Sequence, residues 1–363
     1  MRLVLAVAVV VSVAACGRTE LVRYTVDAGV DAGFDAGHDA GFDAGVDAGV
    51  DAGLDAGPCL PRPLPLVPAV PTVMFVVDRS GSMDEDLDGN NDGGLSRWAV
   101  LQTSLATALP PHDQRIAMGA LLYPSAFTFS CDAPTSVDLS PARGNAAALL
   151  GLFGRAPPRG GTPTSQAVSL AAAHLAQLHT ATAARALVLA TDGAPNCNDR
   201  LDNATCVCTS RPTFEPNCDS PENCLDDSRT VLVIRDLFDA ARVPTYVIGL
   251  GSQLNQFAST LDAMAVAGGV PRAGTPRYYS VASQAELTDA LTRITAQLAR
   301  CTYLLNGLGL NDTFVVEVDG AVVPEGPNGW EWLDRMNGEL RLHGEACDRA
   351  ASGSVATVLV DCH

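Results

Sequence analysis

Four short apolar runs mark the middle of the chain: Val73–Val77, Ile116–Tyr123, Ala186–Ala190 and Thr245–Leu250. They are continuous rather than alternating, which fits strands buried on both faces of a parallel sheet. Segments with helical spacing lie between and after them, at Arg97–Leu109, Asn145–Phe153, Pro163–Leu178, Ser228–Arg242, Gln253–Ala267 and Ser283–Leu298. Thr162 ahead of Pro163 suits a helix start. The alternation predicts an α/β fold over residues 72–300, an open, doubly wound, mostly parallel sheet. Ligands of such sheets bind beyond the carboxyl ends of the strands, where strand order reverses.

The pattern changes at residue 301. Thr313–Val318 is an apolar-rich run, Asp319-Gly320 a favoured hairpin turn, and Ala321–Val323 the return. Glu339–His343 and Val355–Val360 read as further strands. Residues 301–363 are therefore expected to form a small disulfide-linked β module, with Cys347–Cys362 as its local bridge. Trp330 and Trp332 would share one face, with core packing as their expected use. Residues 196–224 interrupt the α/β pattern with Cys197, Cys206, Cys208, Cys218 and Cys224 among several prolines. They read as a disulfide-stapled insert. An odd number of cysteines requires a partner elsewhere or a free thiol, and Cys131 is the candidate. The Cys206-x-Cys208 spacing without histidine does not match common zinc sites.

The beginning of the chain has no globular pattern. Met1-Arg2 is a basic start, Leu3–Val13 is uncharged and apolar, and Val13-Ala14-Ala15 places small residues before Cys16. The apolar run is too short for a permanent membrane span. Residues 1–16 resemble a lipoprotein signal in which the Cys16 thiol is acylated, and lipid chains anchor a protein to a membrane. Gly17 after the cysteine, by resemblance to enterobacterial sorting rules, implies an outer-membrane lipoprotein facing the periplasm or the cell surface. Residues 17–58 contain the repeat Asp-Ala-Gly-x from Asp27 onward. A glycine in every fourth position and like charges four apart oppose a helix, so a disordered acidic tether with a coil span of roughly 30 Å is expected. A low-affinity Ca²⁺-binding repeat is the weaker alternative, because nothing fixes the carboxylates. The Pro-rich join 59–71 should be stiff and extended and should lift the domain off the tether.

The net charge of −18 argues against nucleic acid and against attraction to anionic lipid. All 23 basic residues are arginine, a bias to which we assign no function. Of the 11 cysteines, ten remain once Cys16 is set apart, an even number that suits a disulfide-bonded exported protein.

Candidate chemistry clusters where the strands end. Asp78-Arg79-Ser80-Gly81-Ser82 follows the first apolar run, Gly160-Gly161-Thr162 precedes a helix, and Thr191-Asp192-Gly193 follows the third run. Asp78, Ser80, Ser82, Thr162 and Asp192 are hard oxygen donors suited to Mg²⁺ or Mn²⁺, with Ca²⁺ as an alternative. Asp-x-Ser-x-Ser, a distant Thr and a distant Asp resemble the metal-ion-dependent adhesion site of von Willebrand factor type A domains, over roughly residues 70–300. The resemblance implies that the hydroxyls bind the ion, that at least one carboxylate acts through water, and that the ion takes a carboxylate from a protein ligand. The expected function is thus a membrane-anchored, metal-dependent adhesion-type module. A scaffold of an envelope assembly, with metal-independent binding, is the alternative.

Asp84, Asp86, Asp88, Gly89 and Asp92 match half of an EF-hand loop, but Leu95 stands where the bidentate Glu is needed and no helix is expected before it. A solvated loop is the favoured reading. Catalysis finds little support: there is no Gly-x-Ser-x-Gly elbow. The six histidines include His174 and His179, five apart on one helix pattern and not placed as a metal pair. The protein is not expected to be an enzyme.

Overall fold

The first described residues form two short edge strands, β1 (Arg62–Pro65) and β2 (Val67–Pro68). The computed structural model describes residues 62–88, 92–125, 131–178, 184–209, 217–251, 257–305, 313–336, 338–352 and 356–361. The leader 1–16 with Cys16, the repeat 17–58, Cys59 and Cys362 lie outside them.

β3 (Thr72–Asp78) is buried at every position. Val73, Phe75 and Val77 enter one core and Met74 and Val76 the other. Burial of each such side chain contributes about 1.5–3 kcal/mol, enough together to carry a buried carboxyl at the strand's end. After β3 come α1 (Arg97–Ala108), β4 (Ala117–Tyr123), β5 (Leu139–Ala142), α2 (Ala146–Phe153), α3 (Thr164–Gln177) and β6 (Arg185–Thr191). They are followed by α4 (Asp227–Ala241), β7 (Thr245–Leu250), α5 (Ala258–Ala267), β8 (Tyr279–Val281) and α6 (Gln284–Arg300). The sheet has the order β5-β4-β3-β6-β7-β8, parallel except for the antiparallel edge strand β5. Helices α1, α2 and α6 cover one face, through Leu101, Leu149 and Leu291 among others. Helices α3, α4 and α5 cover the second, through Val168, Ile234 and Leu261. This is the open doubly wound α/β fold expected from the apolar runs. The edge strands β5 and β8 are additions, too short and too polar to register as buried runs.

The remaining strands are β9 (Thr302–Leu304), β10 (Thr313–Val318), β11 (Ala321–Val323), β12 (Trp330–Asp334), β13 (Glu339–Leu342) and β14 (Ala356–Asp361), with α7 (Gly344–Ala351) before the last. They form two antiparallel four-stranded sheets, β1-β14-β10-β11 and β12-β13-β9-β2, around a third core containing Val316, Leu340 and Val358. The Asp319-Gly320 hairpin is present, with φ of 52° and 73° at its two residues. Trp330 and Trp332 pack edge-on at 5.4 Å and both meet Phe314, so they serve a core.

Three expectations are corrected here. The Pro-rich join is not a free spacer: β1 pairs with β14, β2 pairs with β9, and Ala69 N donates to Thr302 O at 2.8 Å. Proline lacks a ladder donor and is accepted at sheet edges, which is where β1 and β2 sit. The α/β domain is therefore inserted into the second module, whose strands flank it in sequence. That module also carries a helix, α7, which the strand-like reading overlooked. Finally, Cys347 pairs with Cys301, not with Cys362, at a Cα separation of 5.4 Å. Leu342 N donates to Cys301 O at 2.8 Å, which brings the end of β13, and with it α7, beside the end of α6.

Candidate metal centre

Two apolar strands deliver the two carboxylates. Val73–Val77 carry Asp78 to the carboxyl end of β3, and Leu187–Ala190 carry Thr191 and Asp192 to the same end of β6. The strands are parallel neighbours, with Val77 opposite Ala190. The chain leaves β3 toward β4 on one side and β6 toward β7 on the other, so strand order reverses between them.

Asp78 is buried, and both its oxygens are engaged. Oδ1 accepts the Ser80 backbone N–H at 2.8 Å, and Oδ2 accepts the Thr191 hydroxyl at 2.6 Å. The Ser80 and Ser82 hydroxyls lie 3.1 Å apart, and Ser82 Oγ donates to Asp192 Oδ1 at 3.0 Å. Asp78, Ser80, Ser82 and Asp192 thus form one hydrogen-bonded set, joined to Asp78 through the Ser80 backbone N–H. Thr162 arrives on an adjoining loop. Gly81 N donates to Gly160 O at 3.0 Å, Thr162 N donates to Asn196 Oδ1 at 2.7 Å, and Asn196 N donates to Thr162 O at 2.9 Å.

A disulfide backs this loop. Cys131 pairs with Cys197, so the odd cysteine of the insert has the outside partner named as its candidate. A Cβ on Gly161 would stand 2.6 Å from Cys197 Sγ and 2.9 Å from Cys131 Sγ, so only glycine fits against the bridge. Cys206–Cys224 and Cys208–Cys218 close the rest of the insert. Cys206, Cys218 and Cys224 lie close enough for a metal, but their sulfurs are spent in disulfides.

The residue that the sequence reading missed is Arg97. Its Nη1 donates to Asp192 Oδ2 at 2.7 Å and to Ser82 O at 2.9 Å, and it lies 3.3 Å from the half-exposed Glu85 carboxylate. Side-chain exposure is 2% for Arg97 and 0% for Asp192, so this is a buried ion pair. A signal was present: arginine directly follows the Ser96 N-cap, and a cation in a helix's first turn opposes the helix dipole. Thr191 and Asn196 were also overlooked, because the bonds that tie them to Asp78 and to Thr162 reach across 113 and 34 positions.

Electrostatics separates the two carboxyls. Burial first, then the Asp192 charge, push Asp78 from 3.8 up to about 7. Asp192 is also raised by burial, but Arg97 opposes the shift. Tyr123 is pushed well up by burial and then by Asp78. Two carboxylates that repel one another, surrounded by hydroxyls with hard oxygen donors, fit a divalent cation such as Mg²⁺ or Mn²⁺.

The other sequence candidates lie elsewhere. A 3₁₀ turn over Gly81–Asp84, not a helix, precedes the acidic loop, which excludes an EF-hand. The carboxylates of Asp86, Asp88 and Asp92 gather within 4.8 Å of one another, and Asp86 Oδ2 accepts the Gly93 and Gly94 N–H groups at 3.1 Å. His174 is 3.2 Å from the Ser140 hydroxyl and His343 is 3.2 Å from Glu331. No helix among the described residues is long and apolar enough to cross a membrane.

No protein-family model matches the chain, and no curated protein matches it in sequence. Among solved structures, it is similar to the PilB minor pilin from Streptococcus sanguinis, at 18% identity and a TM-score of 0.45, over 64% of this chain and 62% of the pilin. It is also similar to the pilus adhesin SpaC from Lactobacillus rhamnosus GG in its open conformation, at 14% identity and a TM-score of 0.46, over 80% of this chain and 38% of SpaC. A third is the vWF domain of the type V pili tip protein Mfa5 from Porphyromonas gingivalis, at 13% identity and a TM-score of 0.40, over 63% and 95% respectively. The chain thus spans less than two thirds of the length of the pilin and of SpaC.

Proposed function

We propose that this protein is a membrane-anchored, divalent-metal-dependent binding module of the von Willebrand factor type A kind, which captures a carboxylate of a partner protein. One observation carries the reading: Asp78, Ser80, Ser82 and Asp192 converge in one hydrogen-bonded set where strand order reverses, with Thr162 on the adjoining loop. A Mg²⁺ or Mn²⁺ ion bound there would offer an open coordination position to an anionic oxygen. Asp78 supplies the main charge and Thr191 orients it. Ser80, Ser82 and Thr162 are neutral donors. Arg97 holds Asp192 and offsets its charge, so the protein's own groups leave a divalent ion undercompensated. An acidic partner then gains more than it would at a site with two unopposed carboxylates.

The test is calorimetric titration of Mg²⁺ and Mn²⁺ into the protein and into Asp78→Ala. Saturable binding lost in the variant is expected, and equal binding in both removes the site. Anchoring rests on Cys16: labelled fatty acid should enter the wild-type protein and not Cys16→Ala. We place the protein in the outer membrane because Gly17 follows that cysteine, and we assign it no catalytic role. Turnover of a hydrolysable substrate that is lost with Asp78 would overturn that.

One observation favours a scaffold with metal-independent binding. Arg97 already supplies Asp192 with a cation at 2.7 Å. Capture of partners from an envelope extract with and without chelator separates the two, since scaffold contacts survive chelation.

A further inference from the structure

Arg79 lies between Asp78 and Ser80, yet its side chain leaves the metal motif. It is 2% exposed and reaches a cleft of about 370 Å³, which it lines with Arg155, Arg159, Asp138, Ser125 and Thr135. Nε donates to Pro124 O at 3.0 Å and Nη1 to Pro157 O at 2.9 Å. Nη2 is buried with no hydrogen-bond partner among the described residues. Carbonyl oxygens satisfy donors but do not neutralise a guanidinium, and a buried charge without an ion-pair partner is costly. Among the described residues no carboxylate lies within ion-pairing distance of Arg79.

The cleft reverses the sign of the molecule. The chain carries −18 overall, whereas among the described residues lining the cleft there are three guanidinium groups and one carboxylate, that of Asp138, which already accepts the Leu122 N–H at 2.7 Å. The three arginines differ in role. Arg79 is buried at the base, Arg159 is half-buried, and Arg155 is exposed at the mouth. The Arg159 backbone N–H donates to Arg79 O at 2.7 Å, which ties the cleft wall to residue 79. Arginine forks match the oxygens of phosphate, sulfate and carboxylate, and Ser and Thr hydroxyls add donors.

We propose that this cleft is a second binding site, for a small oxyanion group held by Arg79, Arg155 and Arg159. It needs no cation and stands independently of the metal centre.

The test is calorimetric titration of inorganic phosphate, sulfate and acetate into the full chain, in buffer stripped of divalent ions on a chelating resin. Saturable binding of at least one anion is expected. The phosphate and sulfate arms against the acetate arm distinguish a tetrahedral oxyanion from a carboxylate. Affinity should fall by roughly tenfold or more in Arg155→Gln/Arg159→Gln, since each guanidinium removed takes charge-assisted bonds with it. If that double variant does not fold, the exposed single change Arg155→Gln should still weaken binding measurably. No saturable heat with any of the three anions overturns the proposal. So does affinity unchanged by the arginine substitutions, or binding that appears only when Mg²⁺ is added, which would assign the anion to the metal centre.

Discussion

Replacing Arg97 by methionine tests the electrostatics of the rim most directly. The substitution removes the guanidinium that meets Asp192 at 2.7 Å, with both side chains shielded from water. Removing one member of a buried pair costs about 3–5 kcal/mol, because the other charge is left uncompensated. The lost bond to Ser82 O adds about 1 kcal/mol, while the contact to the half-exposed Glu85 adds little. Without metal, Arg97→Met should therefore lower unfolding stability by about 4–6 kcal/mol, read by urea denaturation in metal-stripped buffer. Methionine retains the apolar bulk, so the deficit reports charge rather than a cavity. Saturating Mg²⁺ gives Asp192 a new counter-charge and should return a large part of the loss. The pair variant Arg97→Met/Asp192→Asn leaves neither charge exposed to the other's absence, and should be less destabilised than the sum of its single changes. The reasoning fails if Arg97→Met lies within about 0.5 kcal/mol of wild type, or if the two substitutions are additive.

Protonation of Asp78 should shape stability against pH in the metal-free protein. Its folded value of about 7 stands above its ordinary 3.8, so the native state holds the extra proton across that window. Stability from this group is greatest below about pH 4 and falls, by on the order of a few kcal/mol, as pH rises toward 7. The slope should be missing from Asp78→Asn and should flatten when Mg²⁺ is present; identical slopes in wild type and Asp78→Asn refute it. Gly161→Ala should drive the Thr162 loop away from the Cys131–Cys197 bridge and weaken Mg²⁺ binding; unchanged affinity by calorimetry would show that the loop yields freely. Glu339, buried in the second module, accepts the Ala184 N–H at 2.7 Å at the entrance to β6. Glu339→Ala should cost about 1–3 kcal/mol, measurable as a drop in urea midpoint, and a midpoint unchanged from wild type would deny that contact a structural role.

The helices and buried strands were legible because their signals are local. A continuous apolar run, a Pro after a Thr, or an Asp-Gly between strands acts over a few residues, through backbone sterics and water. For the same reason Asp78 and Asp192 could be assigned to strand ends from their neighbours alone, whereas the five candidate donors were named from a resemblance to a known motif. Other features depend on partners far along the chain. Arg97 meets Asp192 across ninety-five positions, and nothing around either one announces the other. The prolines of β1 look like a spacer until β14 arrives to pair with them. Cys362 was the expected local partner of Cys347, and the pairing with Cys301 came from β13 docking beside the end of α6. Free energy in these cases comes from burial and charge neutralisation between segments that only packing brings together, so the neighbouring residues carry no trace of it.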